Sequence, residues 1–232
     1  MVENTQKSAR IKSTPIHCRF NSMAMPFLGG LMIKKWSILA SDDLIKDEWI
    51  HLRRHRCQRS DGSIVDPYYI ISGRDWVNIM PVTRAGLVYL IREYRHGFGE
   101  ILMGLPGGLI DEGESCAAAA VRELREETGL VACSPPLLTG AMVVNPSTHS
   151  NMGYSFLTLV TEPQVPLAAS LESDIEVVTY SLDQLLDVVL SGSEALSGYD
   201  VASILRGFFS LRKFPEFEFD ILSRLSDRGY VR

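Results

Sequence analysis

Gly108 to Leu130 reads GLIDEGESCAAAAVRELREETGL, and the spacing of its glycines and acids decides how the rest of the chain is read. Ser115 to Thr128 predicts a helix that stops at Gly129, because glycine takes the left-handed conformation that ends helices. On that helix Glu123, Glu126 and Glu127 are related by steps of three and four, so their carboxylates project from one face near the C-terminal end. Crowded carboxylates repel one another unless divalent cations neutralise them or they take up protons. Hard oxygen donors select magnesium or manganese over zinc. Ala117 to Ala120 and Val121 are small or apolar and allow close approach to a sheet. Arg122, beside Glu123, is placed to orient a carboxylate by a charge-assisted hydrogen bond rather than to bind metal. The blander reading is a solvated helix face laced with ion pairs, as most charge-rich helices are.

The whole pattern argues against that blander reading. Gly108, five residues, Glu114, seven residues, then Arg122-Glu123-Leu124-Arg125-Glu126-Glu127-Thr128-Gly129-Leu130 resembles the Nudix box at every defined position. The resemblance implies an α/β fold, the Nudix fold, an α/β/α sandwich around a mixed central sheet with an antiparallel N-terminal strand region. It also implies Mg2+-dependent (or Mn2+-dependent) hydrolysis of a nucleoside diphosphate linked to another group. By the same resemblance Glu123 and Glu127 are the principal metal ligands, Glu126 a further or water-mediated one, and the carbonyl of Gly107 a backbone ligand. Glu114 is then structural or a support behind the metal ligands.

Working outward, Leu90-Ile91-Arg92-Glu93-Tyr94-Arg95-His96-Gly97 followed by Gly104-Leu105-Pro106-Gly107-Gly108 resembles the segment before the box in ADP-ribose pyrophosphatases and related nucleotide-sugar hydrolases. That resemblance makes Arg95 a substrate-facing residue, since a planar guanidinium fork binds phosphate or ribose oxygens bidentately; Arg92 and His149 are further substrate-binding candidates. Val144-Asn145-Pro146-Ser147 departs from the subfamily's Ser-Pro-Gly-like turn, which favours a nucleotide-sugar class over ADP-ribose in particular. In the stretch Leu171 to Val177, Glu172 is the expected general base and Asp174 a metal-linked carboxylate, with Glu176 on an outward strand face. Tyr68, Tyr69 and Trp76 are stacking candidates, although aromatic residues in strands more often belong to the core. The subfamily exchanges its front strands between two subunits, so a homodimer is implied.

The rest of the chain predicts strands at Trp49 to Cys57, Ile64 to Ile71, Trp76 to Val82, Leu87 to Glu93, Ile101 to Leu105, Leu137 to Val144, Tyr154 to Val160 and Ile175 to Tyr180. Turns at Ser60-Asp61-Gly62-Ser63 and Arg84-Ala85-Gly86 join the front ones. Helices are expected at Leu182 to Leu190, Val201 to Arg212 and Phe217 to Leu225. Residues 1–35 read as a flexible leader whose apolar run Met23 to Ile33 resembles a signal peptide only weakly. Residues 36–232 form one domain, with N-terminal strands over 36–82 and C-terminal helices over 200–232.

Composition supports an ordinary globular chain: 232 residues, 46% hydrophobic and 22% charged. A net charge of −5 and a pI near 5.6 give no global attraction to nucleic acid or to an anionic membrane. Any anionic substrate must therefore be met locally. Cys18, Cys57, Cys116 and Cys133 show no zinc-ligand spacing and read as reduced thiols of a cytoplasmic protein. No stretch reaches the roughly 18 apolar residues that span a bilayer. Competing functions are another Nudix reaction (on GDP-sugars, NADH, dinucleoside polyphosphates or a damaged nucleoside triphosphate) and a non-catalytic module that senses ADP-ribose. RNA decapping lacks the basic tract that holds a long RNA.

Overall fold

The computed structural model describes residues 33–162, 174–214, 217 and 219–231. Most of the expected leader, Cys18 and Glu172 lie outside these residues. Two sheets are present. The first is antiparallel: β1 (Ser37–Lys46), β2 (His51–Gln58) and β3 (Ile64–Ser72), in that order. The β2–β3 hairpin turns at Ser60 to Gly62, where Arg59 N–H donates to the Ser63 carbonyl at 2.9 Å and Gly62 takes φ 86°. β1 was expected only as part of a strand-rich front and not as a strand in its own right. Register shifts between Ile38 and Ala40 and between Asp43 and Ile45 place its apolar residues in adjacent pairs, and bulges of this kind erase the period-two signal.

The second sheet is mixed. Its elements are β4 (Trp76–Val82), β5 (Leu87–Arg95), β6 (Glu100–Gly104), β7 (Leu137–Met142), β8 (Gly153–Leu159) and β9 (Ile175–Ser181). The order is β6-β5-β4-β8-β7, with β9 also paired to β5; β4 and β8 run parallel and the other pairs antiparallel. Alternation along β4 divides the core. Val77 and Ile79 face Ala119, Ala120 and Leu124 of α1 (Cys116–Thr128), whereas Met80 and Val82 face Ile204 and Phe208 of the opposite layer. That layer holds α2 (Leu182–Ser191) and α3 (Gly198–Leu211), with α4 (Ile221–Asp227) beyond. The result is the α/β/α sandwich with a mixed sheet.

Caps set the helix ends. Ser115 accepts from Ala118 N–H at the start of α1, and Gly129 at φ 70° donates to the Arg125 carbonyl at its end. α3 begins at Gly198 rather than Val201 because Ser197 is its cap, accepting from Asp200 N–H. α4 begins at Ile221 rather than Phe217, with Asp220 accepting from the N–H groups of Leu222 and Ser223. β7 ends at Met142 rather than Val144. Among the described residues no disulfide joins Cys57, Cys116 or Cys133. No helix among them is long and apolar enough to cross a membrane.

Candidate functional site

The segment between β6 and α1 is where the chemistry gathers. Val77 N–H donates to the Gly108 carbonyl and Ile79 N–H to the Pro106 carbonyl, both at 2.9 Å, and Ile110 N–H donates to Asp75 O at 2.9 Å. Pro106 to Leu109 therefore runs alongside β4, held by these backbone bonds and by an isolated bridge between Trp76 and Leu109. A side chain at Gly107 would overlap the Val77 carbonyl and the Asn78 Cα, and one at Gly108 would overlap the Glu123 carboxylate. Both positions need glycine because backbone and carboxylate come that close.

α1 lays its acids against this glycine pair. Glu127 is buried, and its Oε2 accepts from Gly107 N–H at 2.7 Å. Glu123 lies against Gly108 and accepts from Arg122 Nη1 at 2.8 Å; Glu126 accepts from the same nitrogen at 3.0 Å. Arg122 also bonds both oxygens of Glu114 and the Leu109 carbonyl, each at 3.0 Å. That bond to Arg122 holds the Glu114 carboxyl below the usual range, and the carboxylates around Arg122 push its pKa well upward. Among the described residues no three His, Cys, Asp or Glu side chains form a ready metal cage. The acids instead rest on an arginine and on main-chain N–H groups, and their donors are all oxygen, which suits a hard divalent cation.

On the other side of the glycine pair is a cavity of about 1080 Å³. Its walls include Gly107, Gly108, Glu93, Arg95, Asn78 and Trp76, and from α3 Tyr199, Asp200 and Arg206. Asp200 accepts from Ser197 Oγ at 2.6 Å and from Asn78 Nδ2 and Leu105 N–H at 3.2 Å. Burial pushes its carboxyl above the ordinary range.

A family model described as the NUDIX domain matches residues 74–196, more than half of the chain. The chain belongs to the NUDIX domain family. A second model, the nucleoside diphosphate sugar hydrolase N-terminal domain, matches residues 36–71 of this Nudix chain, the span of its first sheet. Among curated relatives, the ADP-sugar pyrophosphatase of Mus musculus is 37% identical over 83 residues, 32% of this chain and 38% of that protein. The matched stretch thus spans well under half of that relative. The ADP-ribose pyrophosphatase of Mycobacterium tuberculosis is 28% identical over 170 residues, 70% of this chain and 81% of that protein. A solved structure titled an ADP compounds hydrolase superposes with a TM-score of 0.66 at 23% identity, covering 87% of this chain and 100% of that one, a likeness of fold. Nudix hydrolases generally use divalent metal ions.

The expected substrate-binding residues of this Nudix chain fall in different places. Arg95 lines the cavity and pairs with Glu93. Arg92 does not line it. It points to the opposite face of β5, as strand alternation requires, and donates to Glu194 at 2.8 Å and to Tyr180 at 3.3 Å. His149 also stands away from the cavity lining, in the turn after Asn145, with Nδ1 2.9 Å from Thr148 Oγ1 and its backbone bridged to Ile71 of β3. Tyr68 donates to the Ser147 carbonyl at 2.6 Å, Tyr69 is exposed, and Trp76 meets Tyr199 edge to face at 5.7 Å. Asp174 immediately precedes β9. The α3 wall of Tyr199, Asp200 and Arg206 went unassigned in the sequence, where its only signal is a set of polar residues interrupting an apolar helix.

Proposed function

We propose that this Nudix chain hydrolyses the diphosphate bond of a nucleoside diphosphate sugar, with ADP-ribose giving AMP and ribose 5-phosphate as the leading substrate and Mg2+ as the ion. The carrying observation is the glycine pair shared as a wall by the acids of α1 and by the cavity. Relatives named ADP-sugar and ADP-ribose pyrophosphatase support the substrate class.

Glu123 and Glu127, with Glu126 and the Gly107 carbonyl, are the residues that would hold the ion. A bound divalent cation supplies positive charge against the diphosphate and acidifies water. Orientation falls to the chain itself. Arg122 keeps Glu123 and Glu126 in place, and Gly107 N–H does the same for Glu127. Arg95 holds a phosphate or ribose oxygen so that water attacks one phosphorus in line. The carboxylate of Glu172, outside the described residues, takes the water's proton, and Asp174 is a metal-linked carboxylate. The working unit is a homodimer built through the first sheet, whose Ile38, Leu39, Leu44 and Ile45 are exposed on β1.

The test is chromatography of products after incubation with ADP-ribose and Mg2+, beside Glu127→Gln. Groups that merely orient metal ligands are worth roughly 10–100-fold, so losing a ligand itself should cut turnover about a hundredfold or more. Absence of AMP in the wild-type reaction would reject ADP-ribose. Binding without turnover of any nucleoside diphosphate derivative would point to the sensing module.

A further inference from the structure

β6 ends at Gly104, and the chain then leaves the β5 ladder to run alongside β4 as Pro106 to Leu109. Leu105 stands at that change of partner. A buried N–H there needs an acceptor, because leaving it without one costs about as much as a lost hydrogen bond. Leu105 is buried, and its N–H donates to Oδ1 of Asp200, on α3, at 3.2 Å. The same oxygen accepts from Asn78 Nδ2 at 3.2 Å. Oδ2 accepts from Ser197 Oγ at 2.6 Å, and Ser197 Oγ in turn accepts from Asp200 N–H at 3.0 Å, so the first turn of α3 holds the carboxyl in place. A side chain at Gly104 would stand only 3.1 Å from Oδ2, and glycine there leaves room for the carboxyl to approach the backbone.

Both groups that Asp200 bonds lead to the glycine pair. Leu105 comes two positions before Gly107. Asn78 is what Gly107 packs on: a side chain at Gly107 would meet the Asn78 Cα at 2.7 Å and its Cβ at 2.9 Å. Asn78 is 3% exposed and its Oδ1 has no hydrogen-bond partner, so the buried amide is held through Nδ2, by Asp200. The residues on either side of Asn78 bond the same segment, Val77 N–H to the Gly108 carbonyl and Ile79 N–H to that of Pro106. One carboxyl on α3 thus braces the chain entering the glycine pair and the strand behind it. Burial raises that carboxyl, but Oδ1 accepts whether or not Oδ2 carries a proton, so the brace survives either state.

We propose that Asp200 is a positioning residue for the ion site: by bonding Leu105 and Asn78 it fixes the place of the Gly107 carbonyl and of the Gly107 N–H on Glu127. It acts as a hydrogen-bond acceptor, not as a charge. This rests on the reading that Gly107 and the acids of α1 hold the ion. Calorimetric titration of the full chain with Mn2+, together with amide exchange at Gly107 followed by NMR, tests it. Asp200→Ala removes the acceptor; it should weaken Mn2+ binding about tenfold or more, the scale for groups that orient metal ligands, and speed exchange at Gly107. Asp200→Asn keeps an acceptor oxygen and can donate to Ser197, so its Mn2+ affinity should stay within about threefold of the wild type. A loss of about tenfold in Asp200→Asn would mean that the charge itself is needed and overturns the proposal, a result that can be read even if Asp200→Ala does not fold. A lower Tm in Asp200→Ala, with Mn2+ affinity and Gly107 exchange unchanged, would reduce Asp200 to a packing contact and also overturns it. If the wild type and Glu127→Gln bind Mn2+ alike, the ion reading fails, while faster Gly107 exchange in Asp200→Ala still upholds Asp200 as the anchor of the glycine pair. If Mn2+ binding needs Glu127 but ignores Asp200→Ala, the ion reading stands and the positioning role fails.

Discussion

Arg122 carries more of the site's geometry than any single acid. Its fork reaches Glu114, Glu123, Glu126 and the Leu109 carbonyl, all within 3.0 Å, and so ties the loop before α1 to the helix face that presents the carboxylates. A lysine keeps the charge but offers three donors from one point, and cannot reach these acceptors together. Arg122→Lys should therefore stay folded by circular dichroism yet lose roughly 10–100-fold in kcat/KM, the usual cost of disturbing groups that orient metal ligands. A loss confined to stability, with kcat/KM intact, would sink this role. Sequence spacing exposed the Arg122–Glu123 relation because the two are neighbours on one helix, whereas the bond to Glu126 came only with the structure. The spacing was silent on the Leu109 carbonyl, whose position depends on how the preceding strand is laid down.

At the scale of the element, α1 is a helix whose entry loop is pinned by a titrating group. The folded-state pKa of Glu114 is depressed from 4.5 by its bond to Arg122. Its contribution is therefore complete above that value and is lost as pH falls through the lower folded value. Urea unfolding of the wild type and Glu114→Gln should show a stability gap at neutral pH that narrows steadily as the solution is taken below 4.5. A gap independent of pH would mean the glutamate acts by packing rather than by charge. The extent of α1 was readable because Ser115 and Gly129 both cap it locally. α4 was misplaced by one turn because Phe217 is apolar enough to extend the periodic pattern, while the actual cap is Asp220.

Across the whole molecule, the first sheet touches the rest mainly at the end of β3. Ile71 N–H donates to the Thr148 carbonyl at 2.7 Å, and Tyr68 and Ser72 bond the same loop. Every residue of β1 is exposed, including four large aliphatic ones, which is more apolar surface than a lone sheet in water retains without a partner. Light scattering should give twice the chain mass of 25.8 kDa, and Ile38→Asp with Leu44→Asp should halve it. A wild-type monomer at micromolar concentration would remove the dimer from the proposal.

The sequence by itself determined the acid helix and its end at Gly129, because both are relations between residues close along the chain, while the sandwich was implied by the resemblance of that stretch to the Nudix box. Tertiary structure alone decided that Arg95 faces the cavity while Arg92 turns to Glu194. It also decided that α3, more than a hundred positions beyond Asn78, brings Asp200 to within 3.2 Å of it. Such contacts depend on strand order and on the face each strand presents. Helix and strand periodicity report which residues share a face, but not what the fold sets opposite them.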